Sequence, residues 1–171
     1  MNTKRILLIV CSVFLIVSLS KAQDYEYIGA SKCKMCHNKA EKGKQYDIWK
    51  SGPHAKAFET LAGEEAKKYS DNPQTDPNCL SCHSTYYSAD EDLMYTIKAE
   101  EGVSCESCHG PGSKYKSNTI MKDREKSLAN GMFDPTEAVC KKCHNDKSPT
   151  FKGFNYNEYK AKIAHPVPAQ D

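Results

Sequence analysis

Gly102-Val-Ser-Cys105-Glu-Ser-Cys108-His109-Gly110-Pro111-Gly112 contains a pentapeptide, Cys-x-x-Cys-His, that decides how the rest of the chain is read. The same pentapeptide stands at Cys33/Cys36/His37, Cys79/Cys82/His83 and Cys140/Cys143/His144. It is the attachment signature of covalent c-type haem. Two thiols three residues apart can each add to one vinyl group of a single porphyrin, and the next residue then lies under the iron as its proximal imidazole. The repetition predicts four covalently bound haem c groups, with His37, His83, His109 and His144 as iron ligands.

Four Cys-x-x-Cys pairs could also build two four-cysteine zinc sites, or a set of disulfides in an exported protein. Neither alternative needs the histidines. With only six His in 171 residues, a histidine directly after every pair is not an accident of composition.

Outward from the motifs, the first residues give the compartment. Lys4 and Arg5 open the chain, Ile6 to Leu19 form an apolar run, and Ser20-Lys21-Ala22 make a small-x-small site before Gln23. This predicts a cleaved signal peptide over 1–22, since a run of fourteen apolar residues falls short of the roughly 20 that span a bilayer. Cys11 lies inside the apolar run after Val10, a poor lipoprotein context, so the ninth cysteine goes with the leader and the other eight serve the motifs. Haem c is attached outside the bacterial cytoplasmic membrane, which makes a periplasmic or other extracytoplasmic location the expectation.

The remainder, 23–171, is short enough to be one domain. Its mean hydropathy of −0.71, counted with the apolar leader still present, would ordinarily place it near disordered chains. Four apolar macrocycles supply the buried surface that its side chains lack. The expected fold is therefore mainly α: short helices and loops wrapped around four covalent haems, with little or no β. Without Lys4, Arg5 and Lys21, 21 of the 24 basic residues remain against 22 acidic ones, and haem propionates add further negative charge. Nothing supports nucleic-acid binding, for there is neither a basic tail nor a recognition motif. The Lys39/Lys42/Lys44 and Lys114/Lys116 clusters read first as solvated faces, with docking of an acidic redox partner as the alternative.

Punctuation predicts where the helices fall. Pro53 stands at a first helical position before His54 to Leu61. Asp76-Pro77 precedes the second motif, and Asp134-Pro135-Thr-Glu137 resembles a capping box before the fourth. A last helix is expected over Asn155 to Ala164, ending at His165-Pro166. A short strand pair is conceivable only around Leu93 to Ala99.

Haem iron has two axial positions, and the distal one governs function. Only His54 and His165 stand outside the motifs, and they are the candidate distal ligands. Two histidines cannot serve four irons, so up to two irons are left open unless Met94, Met121, Met132, a Lys or a Tyr fills in. For the methionines, packing is the commoner use.

The segments Trp49-Lys-Ser51-Gly-Pro-His54-Ala-Lys-Ala57-Phe, Gly102 to Gly112 and Ser148-Pro149 through His165-Pro166 together resemble the tetrahaem cytochrome c-554 family. The resemblance implies a mainly helical fold with haems in close pairs, His54 and His165 as distal ligands, and Trp49 as packing. It also implies one high-spin, five-coordinate haem, carried here to His83. The best-known member of the family carries electrons from hydroxylamine oxidoreductase, but the partners of such a carrier follow what its organism expresses. This chain departs from the pattern after Gly110-Pro111-Gly112, itself expected to be a tight turn against a haem. Where relatives often place a histidine it reads Ser113-Lys114-Tyr115. Tyr115 thus stands at a ligand position, although packing or a propionate hydrogen bond is the more ordinary role.

The function expected is a periplasmic electron carrier between redox proteins, some of them membrane-associated, with no catalytic residue required. The alternative is an enzyme or gas binder whose open iron binds or reduces nitric oxide, nitrite, hydroxylamine or peroxide. No spare histidine remains for acid–base work beside such an iron, which favours the carrier. A structural subunit of a larger multihaem complex is a lesser third reading.

Overall fold

The structure, a computed structural model, describes residues 25–88 and 96–167. The leader expected in 1–22, Met94 and most of the conceivable strand pair lie outside those residues. Of that pair, Thr96 to Lys98 are irregular and Ala99–Glu101 form a 3-10 turn. Among the described residues no strand forms, and no helix is long and apolar enough to cross a membrane.

The helices are short, as expected. In chain order they are α1 (Ala30–His37), α2 (Gln45–Ser51), α3 (Ala57–Thr60), α4 (Glu64–Lys67), α5 (Pro77–His83), α6 (Cys105–His109), α7 (Asn118–Met121), α8 (Arg124–Ala129), α9 (Glu137–Cys140) and α10 (Tyr156–Ile163). The buried hydrophobic side chains are Ile28, Ala30, Ala55, Leu61, Leu80, Ile97 and Tyr115, too thin a core for a chain of this length to fold on alone.

Capping explains where several helices start. Asp76 accepts the Asn78 N–H at 2.9 Å with Pro77 at the first helical position of α5, and Asn155 caps α10 by accepting the Glu158 N–H at 3.2 Å. The expected capping box at Asp134 does not form. Because α9 starts only at Glu137, Thr136 and not Asp134 stands at the cap position, where it makes no side-chain bond, and the Asp134 carboxylate accepts from the Arg124 guanidinium instead. The helix expected over His54 to Leu61 is divided into a 3-10 turn, His54–Lys56, and α3, with Pro53 as the cap rather than the first helical residue. The His54 carbonyl accepts the Ala57 N–H three residues on and also the Val103 N–H, at 3.0 Å, from a distant segment. That second bond needs close backbone approach at Gly102, where a Cβ would stand 2.6 Å from the His54 oxygen.

Helix α1 has no side-chain cap of its own at Gly29. Two carboxylates from elsewhere perform the task. Glu106 of α6, 1% exposed, accepts the N–H groups of Ile28 (3.0 Å), Gly29 (2.8 Å) and Gly112 (2.7 Å), and Glu101 accepts that of Ala30 (2.9 Å). Negative charge at a helix N-terminus is also favoured by the helix dipole. The first motif is thereby tied to the third.

Candidate cofactor site

Each Cys-x-x-Cys-His motif begins on a helix. The first lies within α1 and the second within α5; the third is α6 itself, and the fourth starts at the end of α9 and turns out of it before His144. A single helical turn separates the two cysteines of a pair, which places both thiols and the histidine on one side of the backbone.

The pairs are not independent. Cys33 of the first motif lies beside Cys105 of the third, and α1 packs on α6. Cys108 of the third lies within electrostatic reach of Cys140 of the fourth, with α6 against α9. Cys143 of the fourth lies beside Cys82 of the second. The motifs therefore follow one another in space as first, third, fourth, second. All eight described cysteines are free thiols, so the disulfide alternative has no support here. Nor does a group of three or more His, Cys, Asp or Glu stand ready to hold a metal ion among the described residues, as the zinc alternative requires. Burial, with Cys140 close by, pushes the Cys108 thiol up to about 11, and burial beside Cys82 pushes Cys143 up to about 12.

The histidines outside the motifs come to rest against histidines inside them. The His54 ring stands 6.1 Å from that of His144, and the His165 ring 5.9 Å from that of His109, measured between centroids. A first-row metal bonds an imidazole nitrogen at about 2 Å, so two rings sharing one metal have centroids about 6 Å apart. His165 Nδ1 is buried without a hydrogen-bond partner, a polar atom for which the protein supplies nothing. Burial lowers the pKa of His54, His109 and His144, keeping them as the neutral imidazoles that bind iron. Donor set, ring spacing and thin core all fit haem: each pair of thiols would take the vinyl carbons, and each facing pair of imidazoles would take the two axial positions of one iron.

His83 and His37 sit differently. His83 Nδ1 is 2.7 Å from the Ala57 carbonyl and 3.3 Å from Thr60 Oγ1, so the ring donates from Nδ1 and keeps Nε2 for a metal. Beside His37 lies Gln45, whose amide donates to the Lys42 and Pro166 carbonyls and so joins the first motif to the segment that carries His165.

Tyr115 is buried, and its hydroxyl donates to the carbonyls of Gly110 at 2.7 Å and His109 at 3.2 Å. Burial raises its pKa, which keeps the phenol protonated. Its geometry is that of a brace on the third motif. Trp49 likewise braces, its indole N–H donating to the Val103 carbonyl at 2.8 Å. The tight turn expected at Gly110 is present with φ of +82°, and a Cβ there would stand 2.5 Å from the Gly131 carbonyl.

Three contributors escaped the sequence reading. Glu106 could have been noticed as the one acidic residue between the cysteines of a motif. Phe154 and Tyr159 carried no signal at all, yet Phe154 stacks on the His144 ring at 4.9 Å with planes 19° apart, and Tyr159 closes on it edgewise at 5.6 Å.

The family described as "Cytochrome c554 and c-prime" matches residues 32–110. Cytochrome c-554 of Nitrosomonas europaea is 30% identical over an alignment, gaps included, of 171 positions that covers 85% of this chain and 70% of the relative. No solved structure matches.

Proposed function

Because this chain belongs to the cytochrome c-554 family and is accordingly a c-type cytochrome with covalent haem c, we propose that it is an exported tetrahaem electron carrier. In this reading 1–22 is a cleaved leader, and 23–171 is a single tetrahaem domain that works outside the cytoplasm, passing electrons between periplasmic or membrane-associated redox proteins. When bound, each haem supplies a one-electron ferric/ferrous couple.

The chain's own work is attachment, ligation and spacing. Cys33/Cys36, Cys79/Cys82, Cys105/Cys108 and Cys140/Cys143 anchor the four groups, and His37, His83, His109 and His144 ligate them from the proximal side. His54 completes the site of His144, and His165 completes that of His109. The two facing imidazole pairs, at 6.1 and 5.9 Å, are the observation that carries this reading. Helix packing of α1 on α6 and of α6 on α9 holds successive motifs adjacent, which a conduit requires and a single catalytic centre does not. The hydrogen bonds at Glu106, Trp49 and Tyr115 brace that packing.

Mass spectrometry of the holoprotein should find four haems on a chain beginning at Gln23. In low-temperature EPR of the oxidised protein, His54→Ala and His165→Ala should each convert one low-spin iron to high-spin. An unchanged count in either variant removes that distal assignment.

A further inference from the structure

The facing histidine pairs fall in the middle of the spatial order of the motifs. His109 and His144 belong to the third and fourth motifs, which lie between the first and the second, and each has a second imidazole opposite it. The chain contains six histidines in all. His165 lies within electrostatic reach of His37 as well as His109, but the ring contact it makes is with His109, and with His54 against His144 no histidine ring faces His37 or His83 at the two ends.

Tyr115, which the departure after Gly110-Pro111-Gly112 puts at a ligand position, lies near Cys33 of the first motif. Its hydroxyl is already engaged. It donates to the carbonyls of Gly110 at 2.7 Å and His109 at 3.2 Å, and swinging it onto a metal would strip both bonds from the buried start of the Gly110-Pro111-Gly112 turn. The Gly110 carbonyl would then lose that buried donor, while the His109 carbonyl would keep only the Phe133 N–H. A second turn of constraint comes from Gly110, whose +82° φ and contact with Gly131 leave no room to rebuild that backbone.

Resting on the four-haem reading, we propose that the iron carried by His37 is a second open site, in addition to the one at His83. Its face opposite His37 takes a small exogenous ligand, a diatomic gas or a small anion. The molecule then has an open iron at each end and two imidazole-closed irons between them. Both histidines outside the motifs face the interior irons, where a foreign ligand would interrupt the path between the ends.

Spin counting on the unmutated holoprotein is the test, with cyanide and nitric oxide as the probes. Mass spectrometry comes first: fewer than four haems defeats the four-haem reading, whereas four haems with a different spin count defeats only this proposal. Two high-spin and two low-spin irons are expected, with two equivalents of cyanide bound per chain. Fewer than two high-spin irons overturns the proposal, because a sixth ligand such as Met121 or Met132 then closes the first site. Removing the first motif with Cys33→Ser, Cys36→Ser and His37→Ala should delete one high-spin signal and halve the cyanide stoichiometry. Loss of a low-spin signal instead places the open irons elsewhere and overturns it equally. Should that variant not accumulate, the count on the unmutated protein decides alone.

Discussion

Among the described residues, every buried residue lies in 28–127, and none lies in 128–167. The first region builds a small core and a buried polar network of its own: Glu106 across three backbone N–H groups, Thr85 and Ser104 bonded to one another, and Tyr115 on the Gly110 carbonyl. The second region has helices α9 and α10 with no buried residue, joined by contacts such as the Tyr156 hydroxyl on the Pro135 carbonyl at 2.9 Å and the aromatic group around His144. Its ion pairs, Glu137 with Lys141 and Glu158 with Lys162, are exposed and worth little. The lesson is that one half of the molecule is folded partly by its chain, and the other half by what its cysteines and His144 hold.

The largest effect should come from breaking that dependence directly. Cys140→Ser with Cys143→Ser should abolish hydrogen-exchange protection across α9 and α10, while protection at Ile28 to Ala30 and around Ser104 persists. Uniform loss, or uniform retention, across both regions would erase the contrast.

Next in size is the anchor of the first region. Glu106→Ala leaves the N–H groups of Ile28, Gly29 and Gly112 without their acceptor. Buried donors so stranded cost about 1–3 kcal/mol each, and the sum is not additive, so a loss of roughly 3 kcal/mol or more in denaturant unfolding of the holoprotein is expected. Glu106→Gln retains one acceptor oxygen and should lose about half as much. If Glu106→Ala costs no more than an exposed glutamate, the network is not what holds the first motif to the third.

In the second region the corresponding substitution should matter less to stability and more to the ligand. Phe154→Leu removes the ring stacked on His144 and should cost about 1 kcal/mol, the usual worth of an aromatic pair. It should also shift the EPR g-values of one low-spin iron, because the imidazole is then freer to rotate. A change in stability with identical g-values would reduce Phe154 to packing alone.

How far the sequence reaches can be seen at particular residues. The four motifs were plain because each is five consecutive residues with one chemical use. Asp76 was legible as a cap because its partner is two residues away, and Asp134 misled because α9 starts only at Glu137, leaving its carboxylate to a guanidinium ten residues earlier. His54 and His165 could be singled out by counting, but their pairing with His144 and His109 depends on ring approach between segments up to 90 residues apart, which no local pattern encodes. The break in the helix after Pro53 has the same origin, a carbonyl captured by Val103.

The smallest expected effect is also the one that separates bracing from ligation. Tyr115→Phe keeps the buried ring and deletes only the hydroxyl that serves the Gly110 and His109 carbonyls. A loss of about 1 kcal/mol is expected, with no change in the number of high-spin and low-spin irons. Were the phenol oxygen a ligand, its removal would add a high-spin iron and shift the visible spectrum while leaving the turn intact. Because the two roles move different observables, stability for the brace and spin state for the ligand, one conservative substitution distinguishes them. It also bears on the two regions: a brace keeps Tyr115 among the contacts by which the chain itself helps to fold the first region, and a ligand would make those contacts answer to iron as well.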